Sequence, residues 1–296
     1  MASFKRRIIQ VTSTIIGNGY FEGFAKGTIY RGKLKSVCFP GLNCYSCPGA
    51  YTSCPIGSLQ SVAAGLKYQI SLYVIGFLML IGTIWGRLIC GWICPFGFFQ
   101  ELLYKIPSKK LKMPKTLNTL KYFFLVVFVL LLPALSTNEV GIGLPLFCKY
   151  ICPAGTLEAG IPLTIKNVAL RGAIGIMYYW KLMLLAITIV FSILISRPFC
   201  RAVCPLGAIY SLFNSVSFYR MNVDGTKCTK CNICNKICPV DIKIYENANS
   251  PECVRCGKCV DKCPTKAIKS GYINEKKGRL NHEKILDVGC GADNCN

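Results

Sequence analysis

Three stretches of this chain are almost purely apolar, and cysteine-bearing segments separate them. Residues 68–85 carry no charge and are rich in Leu, Ile and Phe. Residues 117–135 contain an unbroken apolar run over 122–135. Residues 173–196 are interrupted only by Lys181, which stands beside Tyr178, Tyr179 and Trp180. A helix needs about 20 apolar residues to cross the hydrocarbon layer, so the pattern predicts three transmembrane helices. Lys181 is expected to snorkel to the interface from its aromatic belt. Residues 8–24 contain Gly17, Asn18, Gly19 and Glu22. They are a candidate fourth span, a re-entrant piece or an interfacial helix, and the pattern does not choose among these.

A repeat is built on these spans. After the first comes Arg87-x2-Cys90-x3-Cys94-Pro95-x-Gly97, and after the third comes Arg197-x2-Cys200-x3-Cys204-Pro205-x-Gly207. A copy without the arginine, Cys148-x3-Cys152-Pro153-x-Gly155, follows the second. A degenerate copy, Cys54-Pro55-x-Gly57, precedes the first span, with Ala50 where the earlier cysteine would stand. Proline favours a first helical turn, so helices are expected over 95–106, 153–161 and 205–216. The cysteine then meets free N–H groups and a helix dipole, which favour thiolate and an anionic cluster. Arg87 and Arg197 are read either as counter-charge or as headgroup contacts.

Each span changes the side of the membrane. Cys90, Cys94, Cys200 and Cys204 therefore share one face and can hold one [4Fe–4S] cluster. Cys148 and Cys152 share the other face with Cys44, Cys47 and Cys54. A second cluster is expected there, completed by two of Cys38, Cys44, Cys47 and Cys54, with one electron-transfer gap across the membrane interior between the two. Buried structural thiols are the alternative, but they do not explain paired cysteines with Pro and Gly at fixed offsets.

The C-terminal part carries Cys228-x2-Cys231-x2-Cys234-x3-Cys238-Pro239 and Cys253-x2-Cys256-x2-Cys259-x3-Cys263-Pro264. This spacing is that of a bacterial two-cluster ferredoxin, in which the fourth cysteine of each run serves the other cluster. Cys228, Cys231, Cys234 and Cys263 are assigned to one [4Fe–4S] cluster, and Cys253, Cys256, Cys259 and Cys238 to the other. Zinc knuckles would use Cys-x2-Cys, but they leave the two four-cysteine runs unexplained.

Composition supports this picture. The 296 residues are 52% hydrophobic, and a mean hydropathy of +0.42 is high for a soluble chain. Twenty cysteines at cluster spacing, with no recognisable signal peptide, point to metal ligation rather than disulfides. His282 is the only histidine, which excludes bis-histidine haem, and no Cys-x-x-Cys-His occurs. The formal charge of +22 falls once ligating thiolates are counted. The excess suits anionic lipid or an acidic redox partner. Scattered basic residues and the lack of a recognised fold signature argue against nucleic acid. Lys105, Lys109, Lys110, Lys112, Lys115 and Lys121 mark their loop as cytoplasmic, although Arg31, Lys33, Lys35, Lys149, Lys166 and Arg171 lie on the other side. The ferredoxin part follows the Cys200/Cys204 corner without another span and falls on the cytoplasmic face.

The fold class is therefore an α-helical membrane protein joined to an α+β two-cluster ferredoxin domain. Residues 1–220 form the membrane domain, 221–287 the ferredoxin domain, and 288–296 a tail with Cys290 and Cys295 of no assigned role. The corners, the Asn43-Cys44-Tyr45-Ser46-Cys47-Pro48-Gly49-Ala50 stretch and the ferredoxin runs together resemble the NapH/NosR-type membrane polyferredoxins. The resemblance runs from Arg6-Arg7 to Cys263. It implies electron transfer in the cytoplasmic membrane, with quinol and periplasmic reductases as partners of some members. A flavin-binding extracytoplasmic domain, present in larger relatives, is not found here.

The leading function is electron transfer from a cytoplasmic donor, such as an acidic ferredoxin or flavodoxin, to a membrane or extracytoplasmic acceptor. A quinol dehydrogenase subunit is the second reading, with Glu101, Glu139 and Glu158 as candidate proton acceptors near a quinone. A membrane-anchored redox sensor or assembly factor is the third.

Overall fold

Proline at a first helical position costs no hydrogen bond and forces the preceding residue into extended backbone. The computed structural model describes residues 2–65, 71–136, 143–172 and 174–272, and four Cys-Pro pairs in it follow this rule. Cys54, Cys94, Cys152 and Cys204 are extended, with ψ of 125, 117, 110 and 115°. In chain order the main helices are α1 (Ala2–Gly17), α2 (Pro55–Ala64), α3 (Leu72–Trp85), α4 (Pro95–Leu103), α5 (Lys115–Leu135), α6 (residues 153–166), α7 (Ile176–Leu194) and α8 (Pro205–Phe213). The expected corner helices are α4, α6 and α8, with ends shifted by a few residues. The degenerate corner also opens a helix, α2.

Helices α5 and α7 are long and apolar enough to cross a membrane, at 21 and 19 residues. Only 28% and 11% of their most apolar windows are buried in the protein, whereas a soluble core helix is mostly buried. The expected first span corresponds to α3, which has 14 described residues; its start at Tyr68 lies outside the described residues, as does Ala173 before α7.

The N-terminal helix α1 turns polar groups inward and leaves apolar ones exposed, with Lys5, Arg7 and Thr12 also on its exposed face. Arg6, Gln10 and Gly17 are buried, while Phe4, Ile8, Ile15 and Ile16 are exposed. Gln10 Nε2 donates to Gly91 O (2.9 Å) and Ser13 Oγ to Ile93 O (3.0 Å). Inward polar groups and outward apolar ones are the arrangement of a lipid-facing helix. Lys181 departs from the snorkelling expectation. It is half-buried, and its Nζ donates to Cys148 O at 3.2 Å, because a carbonyl left free by the corner lies within its reach.

Strands β1 (Tyr219–Val223) and β2 (Ile268–Tyr272) pair antiparallel, from Tyr219 opposite Tyr272 to Val223 opposite Ile268. They close the C-terminal module over a small core of Met221, Ile244, Cys253 and Ile268. The ordered module thus begins at Tyr219, slightly before the expected 221. Residues 273–296, with His282, Cys290 and Cys295, lie outside the described residues.

The module is docked on the Cys90/Cys94 corner. Trp92 Nε1 donates to Arg255 O (3.0 Å), and Arg255 Nη1 donates to Trp85 O (2.9 Å). Asn214 Nδ2 donates to Ser250 O (2.7 Å) and Cys253 O (2.8 Å). At Gly91 a Cβ would lie 2.2 Å from Val254 O, so only glycine allows this approach. Gly91→Ala is expected to destabilise the docked module by about 1–3 kcal/mol, as overpacking does. Thermal unfolding in detergent and faster proteolysis of the C-terminal module are the measurements; unchanged values for both would exclude this close packing.

Candidate metal centres

The corners share one local geometry. The second cysteine's N–H bonds the carbonyl five residues back: Cys94 to Ile89 (3.1 Å), Cys152 to Phe147 (2.9 Å), Cys204 to Phe199 (2.9 Å). A Cβ on Gly97 or Gly207 would lie 2.9 or 2.8 Å from Cys90 O or Cys200 O. In these two corners the motif glycine is therefore required by the carbonyl of the first cysteine.

Cys90, Cys94, Cys200 and Cys204 are all buried and lie in one electrostatic group. Burial pushes the Cys200 thiol up to about 11; Arg197 opposes this and Cys90 adds to it. Donors point at the sulfurs. Cys94 Sγ accepts from Gly97 N and Leu42 N, both at 3.4 Å, and Cys200 Sγ accepts from Gln100 Nε2 at 3.0 Å. Arg87 and Arg197 are 0% and 2% exposed, so they are internal charges and make no headgroup contact. Four buried thiols, N–H donors and buried cations fit an anionic iron–sulfur cube. Among the described residues no three His, Cys, Asp or Glu side chains close on a single ion, as a zinc site requires.

A second group forms around the other corners. Cys44 and Cys152 lie beside Cys54, and Cys148 lies beside Cys54 and Cys152. A Cβ on Gly155 would lie 3.7 Å from Cys44 Sγ. Burial, more than the neighbouring thiols, pushes Cys54, Cys148 and Cys152 up to about 12. Cys47 has Glu158 and Lys35 as its electrostatic neighbours, and Cys38 Sγ faces Ser58 Oγ at 3.8 Å. Cys44, Cys54, Cys148 and Cys152 thus neighbour one another, and Cys47 lies beside the same Glu158 as Cys44.

The residue six places after each corner's second cysteine recurs as a polar group. Gln60 Nε2 donates to Cys148 Sγ (3.2 Å), matching Gln100 at Cys200. Glu158 Oε2 accepts from Cys44 N (2.6 Å), and Tyr210 Oη donates to Pro40 O (2.8 Å). Burial pushes Glu158 up to about 8, against the Cys44 N–H. Of these, Glu158 was a candidate proton acceptor in the sequence, whereas Gln60, Gln100 and Tyr210 were not singled out; the fixed offset of six is the signal that finds them.

The two membrane groups are neighbours in the chain fold. Leu42 N–H bonds Cys94 Sγ, and Cys44, two residues on, belongs to the other group. Two peptide links span at most about 8 Å between Cα atoms. The expected wide gap is bridged by the segment through Leu42 and Asn43, which Tyr210 pins at Pro40.

In the C-terminal module, Cys238, Cys253, Cys256 and Cys259 line one pocket, together with Cys234. Cys228, Cys231, Cys234 and Cys263 line another. Cys238 lies in the pocket of the second run and Cys263 in that of the first, while Cys234 borders both. Left-handed backbone recurs at matching offsets: Lys230 and Arg255, Asn232 and Gly257, Asp241 and Lys266. Such turns make anion-binding concavities of backbone N–H groups, which suits a cluster in each half.

Two buried ion triads surround the Cys90/Cys94/Cys200/Cys204 group. Glu101 pairs with Arg6 and with Arg197 (2.8 Å). Glu252 pairs with Lys121 and with Arg87 (2.8 Å). Lys121, one of the lysines that mark the loop as cytoplasmic, is fully buried. Burial raises the Glu101 pKa, but Arg197 and Arg6 win and hold it at about 2 against an ordinary 4.5.

A 4Fe-4S binding domain model matches residues 68–114, 122–161 and 177–221, each with one Cys-x3-Cys-Pro corner. A second 4Fe-4S binding domain model matches residues 249–269. The uncharacterized protein MJ0750 of Methanocaldococcus jannaschii is 33% identical over 206 residues, 68% of this chain and 78% of its own. The ferredoxin-type protein NapH of Haemophilus influenzae is 25% identical over 282 residues, 90% of this chain and 88% of its own. The regulatory protein NosR of Pseudomonas aeruginosa is 26% identical over 230 residues, 71% of this chain but only 28% of its own. No solved structure matches the chain. The matched domains and apolar helices define an iron–sulfur electron-transfer protein associated with a membrane. The chain belongs to the membrane polyferredoxin family of NapH and NosR.

Two outcomes follow from these groups. Four loaded cubes would give about 16 irons per chain. Cys44→Ala or Cys54→Ala should lower the count to about 12, while Cys47→Ala and Cys38→Ala leave it near 16. Iron and acid-labile sulfide analysis after anaerobic purification decides; loss of iron in Cys47→Ala but not Cys44→Ala would reverse the assignment. The depressed Glu101 pKa contributes stability that is present above the unfolded value and lost as pH falls through the folded one. Wild type should lose more stability than Glu101→Gln between about pH 4.5 and 2, read by unfolding in detergent.

Proposed function

We propose that this protein carries electrons between a cytoplasmic donor and an acceptor in the membrane or beyond it. The observation that carries the reading is the unbroken order of the four thiol groups. Cys231 is exposed at the outer end of the module, whereas Cys253 and Cys256 are buried where it docks. Val254 touches Gly91 beside Cys90, and Cys94 is joined through Leu42 to Cys44. Bound [4Fe–4S] clusters, two in the module and two in the membrane part, would supply one-electron chemistry at these thiols. The chain's own work is to hold the four ligand groups in sequence, exclude water and compensate charge. In this reading the ligands are Cys228, Cys231, Cys234 and Cys263; Cys253, Cys256, Cys259 and Cys238; Cys90, Cys94, Cys200 and Cys204; and Cys44, Cys54, Cys148 and Cys152.

The module faces the cytoplasm, on the side of the lysine-rich loop between α4 and α5. Helices α3, α5 and α7 are spans, and α1, with its apolar face outward, is a fourth. Exposed Lys227, Lys230, Lys236 and Lys266 surround the Cys231 end and favour an acidic donor such as a ferredoxin or flavodoxin.

A quinol reading has one observation in its favour. Glu158 is a carboxylate held at Cys44 N, beside the group farthest from the module. Glu101 is committed to two arginines, and Glu139 lies outside the described residues. Quinol-dependent reduction of the isolated protein, lost in Glu158→Gln, would favour this second reading.

The conduit is tested in proteoliposomes with reduced viologen outside and ferricyanide trapped inside. Cys200→Ser should keep the module's iron–sulfur signals but cut ferricyanide reduction to the rate of protein-free vesicles. Undiminished transfer would reject the route through this group.

A further inference from the structure

The first position of every corner has its backbone carbonyl bonded by a cation. Arg197 Nη1 donates to Cys90 O, and Arg87 Nη2 donates to Cys200 O at 3.1 Å. In the other group Lys181 Nζ donates to Cys148 O at 3.2 Å, and Lys35 Nζ donates to Ala50 O at 2.8 Å. Ala50 has lost its thiol but kept the cation on its carbonyl, so the contact belongs to the corner and is not an accident of cysteine.

The arginines add a feature that the lysines lack. Each stands three residues before the first cysteine of its own corner and reaches the first cysteine of the opposite one. The exchange is reciprocal. Arg197 holds left-handed backbone, with φ of 53° and ψ of 50°, a strained state for a residue with a side chain. That strain is retained where the side chain makes the crossing contact. Each arginine is also tied to a carboxylate, and each carboxylate keeps a second cation: Arg197–Glu101–Arg6 and Arg87–Glu252–Lys121.

We propose that these two crossed triads are positioning devices that set the reduction potential of the Cys90/Cys94/Cys200/Cys204 site, with arginine raising it and Glu101 and Glu252 lowering it. The proposal rests on reading that site as an iron–sulfur centre. Reduction adds one negative charge to a buried centre. A fixed guanidinium beside it favours the reduced state, and a carboxylate on that guanidinium's far side offsets part of the effect. Arginine stays protonated at any working pH, so the offset is permanent. Interactions of this kind are strong where water is excluded. Net charge and hydrogen bonding around the sulfurs are known levers on cluster potential.

The carboxylates separate a potential-setting role from a scaffolding role. Glu101→Gln removes a negative charge without touching a cysteine and leaves Arg6 and Arg197 in place. Arg197→Gln removes a positive charge, while Glu101 keeps Arg6. The measurement is an EPR-monitored redox titration of the full chain, purified anaerobically in detergent. Glu101→Gln should raise the midpoint potential of the membrane site near the module. Arg197→Gln should lower it, and Arg197→Lys should move it less than Arg197→Gln does. The signals assigned to the Cys228 group should stay where they are in every variant.

No shift in Glu101→Gln, or shifts of the same sign in Glu101→Gln and Arg197→Gln, overturns the proposal. If Arg197→Gln fails to load iron, Glu101→Gln alone decides. If the wild-type chain carries only about 8 irons, the membrane site holds no cluster, and the functional reading fails together with the proposal. A loaded wild type that does not respond to Glu101→Gln sinks the proposal alone.

Discussion

Gathering anionic thiolates in a water-poor interior is the constraint on which this structure depends. Charge there must be met by hydrogen-bond donors and fixed cations, or burial becomes prohibitive. The corner is a compact answer. Proline starts a helix without a wasted donor, the cysteine before it is forced into extended backbone, and at Gly97 and Gly207 the glycine clears the carbonyl of the first cysteine. That carbonyl is then open to a cation. Arg87, Arg197, Lys35 and Lys181 each occupy such a position.

The same electrostatics join the two parts of the chain. Glu252, next to Cys253, is held by Arg87 from a membrane corner and Lys121 from a membrane helix. The Arg255 guanidinium reaches back to Trp85 O and Asn214 O. With Gly91 pressed against Val254 O, the module has one docked position rather than a range of them. A redox protein gains from this, because a relay works only if its centres keep their spacing.

Much of the local chemistry was readable from the chain. The repeated Cys-x3-Cys-Pro-x-Gly units, the helices that they open and the two ferredoxin runs are short-range patterns, and short-range sterics enforce them. Long apolar runs marked α5 and α7 for the same reason: each carries its own hydropathy. The reading failed where a residue's partner is distant. Lys181 looked like an interfacial lysine because its aromatic neighbours are adjacent in sequence, whereas Cys148 O is not. Lys121 was counted with the loop lysines because its partner Glu252 lies 131 residues away. The polar residues of α1 obscured a helix whose apolar face points outward, since inside and outside are undefined until neighbours are in place.

The sequence by itself determined what kinds of site exist, how many cysteines each part offers and which turns present them, because these follow from backbone stereochemistry over a few residues. Only the tertiary structure decided which thiols meet. It set Cys44 beside Cys54 and Cys152, and it ran the segment through Leu42 between the two membrane groups. It also crossed Arg87 and Arg197 between opposite corners. Those outcomes depend on where separate helices pack and on which buried charges find a partner there, and spacing along one chain does not encode either locally.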